Sequence, residues 1–173
     1  MYNNFERANN KLYSIEEIHN LFNSWKDKYW DLAYENPHKL KKIVEYFDGF
    51  PCKVYSQRYE LFLTNTKCVK CGLKANCYIL EKQTASEAWH FNLYKAYKKK
   101  LILFTKDHIL PRSKGGKDWL SNYQTMCYNC NQEKADQLEL DTGLYIPGSS
   151  KKDHKPRLID PSGEHNLDYI LNL

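Results

Sequence analysis

Two cysteine pairs with the same spacing restrict the fold of this chain more than any other feature. Cys68 and Cys71 form one C-x-x-C pair, and Cys127 and Cys130 form another pair much further along the chain. Two thiolates that stand two residues apart converge on one ion at a tight turn, and two such pairs complete a tetrahedral site. The pairs therefore predict a structural zinc that ties distant segments together, with a redox or disulfide function as the alternative.

The other two cysteines, Cys52 and Cys77, have no C-x-x-C partner. Disulfides are rare in reducing compartments, and an unpaired cysteine usually behaves as a small apolar residue. We expect both thiols to be buried and inert.

The length and the apolar pattern limit the domain organisation. A chain of 173 residues buries one core with a small addition. It has no apolar run near the ~20 residues of a membrane span, and its polar start lacks a secretory signal, so we expect a soluble cytoplasmic protein. We divide it into a helical extension at 1–50, a zinc-stapled domain at 51–140 and a tail at 141–173, with 167–171 as a terminal anchor.

The N-terminal segment has the pattern of an amphipathic helix. Ser14 and Glu17 form a capping box, and Asn36-Pro37 ends the periodic pattern. The apolar positions at helical spacing are Ile15, Ile18, Leu21, Phe22, Trp25, Tyr29 and Leu32. We predict a second helix over 38–46, closed by Asp48-Gly49. These helices form either an arm that contacts DNA or a partner protein, or an element that packs on the core or mediates dimerisation. Their neutral charge balance favours the second alternative.

The middle of the chain has β character. Residues 51–66 suit a strand or a short helix, whereas 89–94 alternate between apolar and polar side chains and 101–105 form a second apolar run. Lys98, Lys99 and Lys100 occupy the bend of this basic ribbon, and its second strand ends at Asp107 and His108. Gly115-Gly116 breaks the next loop, and a short helix is expected from about Cys130 to Gln137.

The positive charge is concentrated around these motifs. Residues 88–134 carry nine basic and three acidic side chains, whereas residues 1–66 carry nine of each. A charge run alone indicates a solvated face, but here it coincides with groups that suit hydrolysis. The pattern predicts a surface that binds a phosphate backbone.

Residues 68–136 resemble HNH endonucleases with a four-cysteine zinc. The family pattern joins C-x-x-C, D-H-[IV]-x-P-x-S-x-G-G, an Asn and C-x-x-C-N-x-x-K. Its counterparts here are Cys68 to Cys71, Asp107 to Gly116, Asn122, and Cys127 to Lys134. Asn131 takes the place of the final histidine, which makes this an H-N-N variant. The resemblance implies an α+β fold with a ββα-metal finger and a four-cysteine zinc. The alternating pattern adds the basic β-ribbon, and the N-terminal helical extension and the tail lie outside the resemblance.

The resemblance also implies the functional residues. His108 would be the general base, because an imidazole with a pKa near ~6.5 accepts a proton from water at neutral pH. Asp107 and Asn131 would hold a catalytic Mg²⁺ or Mn²⁺ through oxygen atoms. Asn122 would brace the loop or polarise His108 through its backbone.

Several basic and histidine residues are less specific candidates. Arg112, Lys114 and Lys134 are each either phosphate contacts or solvated charges. The histidines at 19, 38, 90, 154 and 165 lack a partner pattern, so a core or surface position is expected; His90, on the ribbon, is the first of them to test.

These features predict a metal-dependent endonuclease that cuts DNA, most simply double-stranded DNA, and is of the phage, restriction or mobile-element type. The alternatives are a non-catalytic zinc-ribbon DNA-binding module, a structure-specific junction-resolving nuclease and an RNA-cleaving enzyme. A homodimer is left open.

Overall fold

The structure is a computed structural model, and it describes residues 5–83 and 88–135. Its helices are α1 (Ile15–Lys28), α2 (Trp30–Glu35), α3 (Pro37–Leu40), α4 (Gln57–Thr64) and α5 (Tyr128–Lys134). Its strands are β1 (Phe5–Arg7), β2 (Tyr13–Ser14), β3 (Val44–Phe47), β4 (Phe50–Lys53), β5 (Cys77–Gln83), β6 (His90–Tyr97), β7 (Lys100–His108) and β8 (Tyr123–Cys127). This mixture confirms the predicted α+β class.

One antiparallel sheet organises the described part of the molecule. Its strand order is β1-β5-β6-β7-β8, and β2 also pairs with β5. The ribbon predicted from the alternating pattern is present as β6 and β7, with Lys98 and Lys99 at its bend. Strand β7 continues to Asp107 and His108 at its end, as expected, and α5 follows β8 directly.

Helix α1 begins at the predicted capping box. The Ser14 side chain accepts a hydrogen bond from the Glu17 N–H at 3.0 Å, which satisfies one of the free donors at the helix start. Ile18, Phe22 and Trp25 are buried, as the helical spacing predicts. A break at Tyr29 separates α1 from α2, so the predicted single pattern comprises two helices.

The N-terminal helix packs on the sheet. The ring of Phe22 stacks on Tyr59 of α4 at a centroid distance of 4.0 Å, and its edge contacts Phe91 of β6. These side chains share one apolar core with Met126 of β8. The packing alternative for this segment therefore describes α1. The expected boundary at residue 50 falls at the start of β4, next to the turn from β3.

The prediction of a second helix over 38–46 is wrong beyond the first turn. Helix α3 ends at Leu40, and Val44–Phe47 instead pairs with Phe50–Lys53 as a two-stranded hairpin. Asp48 and Gly49 have φ values of 47° and 83°, which is the left-handed conformation that two-residue hairpin turns require. The dipeptide predicted to close a helix is the turn of a hairpin.

Residues 51–66, which the sequence left open, contain both proposed elements, since β4 is followed by α4. Within the described residues no helix has the length and apolar character needed to cross a membrane. The predicted tail at 141–173 and its anchor lie outside the described residues.

Candidate functional site

The four paired cysteines converge. The sulfur atoms of Cys68, Cys71, Cys127 and Cys130 all lie within 4.8 Å of one another. The Val69 N–H donates to the Thr125 carbonyl at 3.0 Å, which ties the first pair to β8. Thiolates about 2.3 Å from a common zinc ion are compatible with such spacings, so the cluster is positioned to bind a metal.

The backbone around this cluster favours a thiolate at Cys68. Burial opposes its ionisation, but N–H groups, chiefly those of Cys71 and Cys127, outweigh burial and lower the pKa of the Cys68 thiol to about 7. Burial raises the pKa of Cys127 to about 11 and raises the pKa of Cys130 further. A bound cation favours deprotonation of all four thiols, because metals bind the thiolate form.

The two remaining cysteines are buried, as predicted. Cys52 and Cys77 are 0% and 5% exposed. Burial raises the pKa of Cys52 to about 12 and that of Cys77 to about 11, so both remain protonated and unreactive at neutral pH.

Asp107 is held in a buried ion pair on the α5 side of β7. Its Oδ2 atom accepts hydrogen bonds from Lys134 Nζ at 2.6 Å and from Gln124 Nε2 at 2.9 Å. The Lys134 ammonium also donates to the His108 carbonyl, and the residue is only 1% exposed. The prediction that Lys134 contacts DNA phosphate is therefore corrected: its charge is used inside the protein, between α5 and the end of β7.

Asn131 lies one helical turn before Lys134 on the same side of α5. Its Nδ2 donates to Thr105 Oγ1 at 2.9 Å, and Thr105 precedes Asp107 by two residues on the same face of β7. Because the amide nitrogen is used in this bond, the amide oxygen is available as a ligand. Asp107 and Asn131 thus lie on the same face of β7, and their joint binding of a cation stays a prediction.

His108 faces the other side of the strand. Its Nε2 lies 2.8 Å from Asp118 Oδ1, and its ring contacts Tyr123 edge-on at 4.8 Å between centroids. Arg112 also binds the Asp118 carboxylate, through Nε at 2.9 Å and Nη2 at 2.6 Å. The His108 contact, followed by that of Arg112, holds the pKa of Asp118 well below its ordinary value.

Asp118 is the residue that the sequence did not reveal. It lies in the exposed loop after the glycine pair, and nothing in its spacing from His108 marks it as a partner. The Asp118 carboxylate lies beside the imidazole and fixes the orientation of the ring, as a general base requires. Because Asp107 and His108 are consecutive residues of β7, their side chains point to opposite faces at the end of this strand.

Asn122 braces the loop that carries these groups. Its Oδ1 accepts from the Leu110 N–H at 2.9 Å, and its Nδ2 donates to the carbonyls of Leu110 and Lys117. Gly116 packs tightly there, since a Cβ at this position would lie 1.8 Å from the Leu110 carbonyl oxygen. These contacts agree with the bracing alternative predicted for Asn122.

The other predicted DNA contacts differ in their positions. Arg112 is exposed and shares the Asp118 carboxylate with His108, and Lys114 is exposed two residues further along the same loop. Lys98, Lys99 and Lys100 are exposed at the opposite end of β7, about 26 Å from His108 at the rise of an extended strand. Of these five residues, Arg112 is the one with a described contact to a residue that binds His108.

A family model described as HNH endonuclease matches residues 96–143 of this chain. The match contains Asp107, His108, Asn122 and the segment from Cys127 to Asn131, whereas the first cysteine pair lies outside it. The predicted resemblance is confirmed over these residues, and the match supports a nuclease that binds nucleic acid. No curated protein and no solved structure matches the chain.

Proposed function

We propose that this protein is a metal-dependent DNA endonuclease that hydrolyses phosphodiester bonds at the end of β7. The observation that supports this best is the arrangement of its polar groups. An imidazole oriented by a carboxylate and an oxygen pair from Asp107 and Asn131 flank the end of one strand, inside the HNH match.

His108 is the proposed base. When Nε2 carries the proton and donates a hydrogen bond to Asp118, the lone pair of Nδ1 can accept a proton from water. Asp118 fixes the ring orientation, and its negative charge stabilises the imidazolium that forms. Arg112 and the Tyr123 hydroxyl in turn hold Asp118, the latter at 3.0 Å. Asp118 is therefore a positioning residue.

The residues proposed for the catalytic cation have suitable chemistry. Both described hydrogen bonds to the Asp107 carboxylate end on Oδ2, so Oδ1 is the oxygen for a cation, and Asn131 supplies its amide oxygen. Hard oxygen ligands of this kind suit Mg²⁺ or Mn²⁺. When bound, such a cation neutralises the charge that develops on the phosphate. The hydrogen bond from the Lys134 ammonium holds the Asp107 carboxylate in place.

The four-cysteine cluster is proposed to hold one structural zinc. It joins the loop at 68–71 to the start of α5, and Asn131 directly follows Cys130. The zinc would therefore set the position of the Asn131 amide without touching the substrate. Metal analysis of the purified protein should give about one zinc per chain.

Double-stranded DNA is the proposed substrate, because the basic surplus lies in the segment that carries the site. We propose an enzyme of the phage, restriction or mobile-element type. We propose a cytoplasmic location.

Plasmid cleavage tests the proposal. The wild type should nick or cut plasmid DNA with Mg²⁺ or Mn²⁺, and His108→Ala should lower the rate by at least about a hundredfold, as loss of a general base does. His38→Ala is the matched control, because His38 is exposed on α3 and has no described hydrogen bond or ring contact with Asp107, His108, Asp118 or Asn131. A wild type that binds DNA but never cuts it would support the non-catalytic zinc-ribbon module. Faster cutting of RNA than of DNA would support the RNA-cleaving enzyme.

A further inference from the structure

Strands β6 and β7 separate before they reach the candidate site. Their pairing runs from Tyr97 and Lys100 to Tyr94 and Leu103, after which β7 pairs with β8 on its other edge. A continued register would place Asn92 opposite Thr105. The strands diverge there instead, and a cavity of about 550 Å³ is found among residues of β5, β6, β7, α4 and α5.

A cationic side chain reaches this cleft from α4. Arg58 is partly buried and donates from Nη1 to Asn92 Oδ1. Glu81, the buried carboxylate of the cleft, already accepts hydrogen bonds from Arg7, Asn92 and Tyr94. Its charge is offset by Arg7, so Arg58 gives the cleft a net positive charge. An arginine remains protonated at any ordinary pH.

The rest of the lining is polar but uncharged, with aromatic rings beside it. Burial, with smaller effects from Lys53 and Arg58, lowers the pKa of His90 to about 4, so its imidazole is neutral at pH 7 and can both donate and accept. Gln132 contributes an amide from an exposed position on α5, and Phe104 and Tyr128 contribute ring surface. Neutral donors and acceptors beside rings are the groups that recognise a nucleobase.

The cleft adjoins the proposed cation position. Thr105 lines it and also accepts the hydrogen bond from Asn131, and Gln132 is the next residue along α5. A nucleotide in the cleft would therefore be a neighbour of the phosphate that is cut. The volume far exceeds that of a phosphate ion and lies within the roughly 300–1,000 Å³ of small-molecule sites.

We propose that this cleft binds one nucleotide of the substrate strand, taken out of the base stack next to the scissile phosphate, with Arg58 on its phosphate and the His90 and Gln132 side chains on its base. This inference rests on the proposed endonuclease function. It implies a preference for DNA that already has an unpaired nucleotide, because extruding a paired one costs free energy.

A binding experiment tests the cleft without any cleavage. Zinc-loaded full-length protein is titrated with dTMP and separately with inorganic phosphate, without added Mg²⁺, while NMR follows the His90 ring resonances. We expect dTMP to bind at least about tenfold more tightly than phosphate. Equal affinities, or no effect of dTMP on His90, would overturn the proposal.

A pair of substitutions on α5 locates the binding. Gln132→Trp adds bulk at the mouth of the cleft and should weaken dTMP binding at least about tenfold. Glu133→Trp is the control, because Glu133 is exposed and pairs with Lys70 instead of lining the cleft. Equal dTMP affinity in the two variants, with folded spectra for both, would contradict the assignment.

Cleavage assays separate this proposal from the underlying one. The wild type should cut a duplex with one unpaired thymine about tenfold faster than the fully paired duplex, and Gln132→Trp should lose this difference. A wild type that cuts both duplexes at the same rate and does not bind dTMP would reject the nucleotide site in the cleft but support the endonuclease function. Binding of dTMP to His90 without any cutting keeps the cleft and rejects the nuclease.

Discussion

The ion pair between Lys134 and Asp107 allows a quantitative test of the site. The side chains are 1% and 8% exposed, and the ammonium also donates to the His108 carbonyl. Removing one member of a buried pair leaves the other charge without compensation, which costs about 3–5 kcal/mol. Lys134→Met keeps most of the apolar stem and removes only the charged end. We expect it to lower the free energy of unfolding by that amount.

Urea denaturation of the zinc-loaded protein measures this change. With an m value of about 2 kcal/mol/M, the midpoint should fall by about 2 M. Lys114→Met is the control, because Lys114 is exposed in the neighbouring loop and should change stability by less than about 0.5 kcal/mol. The double variant Asp107→Asn, Lys134→Met should be more stable than the sum of its single variants predicts, by about 2–3 kcal/mol.

A phosphate contact by Lys134 would give a different result. Loss of one such contact lowers the slope of log affinity against log salt by about one and leaves stability nearly unchanged. A Lys134→Met variant that loses under about 1 kcal/mol and shows the lower slope would refute the buried ion pair.

Three further predictions concern the cysteine cluster, Asp118 and His90. Cys130→Ser should reduce the zinc content from about one per chain and unfold α5, as measured by metal analysis and circular dichroism; full zinc retention would contradict the four-thiolate site. Asp118→Asn should lower kcat about tenfold or more with little change in KM, and an unchanged pH–rate profile would contradict its action through His108. The folded pKa of His90 lies near 4 and its ordinary value is 6.5. The free energy of unfolding should therefore fall by up to about 3 kcal/mol as the pH drops from 6.5 to 4, because His90 is protonated in the unfolded chain before it is protonated in the folded one. His90→Gln should remove this loss in urea denaturation at the two pH values.

Local signals in the sequence predicted the elements that depend on local chemistry. The capping box at Ser14 and the spacing of Ile18, Phe22 and Trp25 gave α1, because the start and the buried face of a helix are set by nearby residues. The alternating pattern gave β6. The two C-x-x-C pairs predicted the convergence of four cysteine sulfur atoms, because the spacing of thiolate ligands is itself a geometric requirement of a tetrahedral metal site.

The errors have physical causes. Asp48-Gly49 suits both the end of a helix and a hairpin turn, and the pairing of β3 with β4 decides between them. Strand β5 was not predicted, because it lies inside the sheet and its residues from Cys77 to Glu81 are all buried, so they do not alternate.

Two features of the site depend on contacts between distant residues. A lysine on a short helix is normally exposed, and only the nearby Asp107 carboxylate explains why Lys134 is buried. The partner of His108, Asp118, lies in a loop that Asn122 folds back against the strand end. No spacing rule in the sequence predicts either contact.

We propose that two different ions serve one short stretch of chain, a structural zinc on the cysteines and a catalytic cation at Asp107 and Asn131. The most direct measurement is zinc content and plasmid cleavage on the same preparation of Asn131→Ala. We predict about one zinc per chain, an unchanged fold and no cutting with Mg²⁺ or Mn²⁺, while the wild type cuts. Cutting by Asn131→Ala at the wild-type rate, or loss of its zinc, would contradict the division between the two ions.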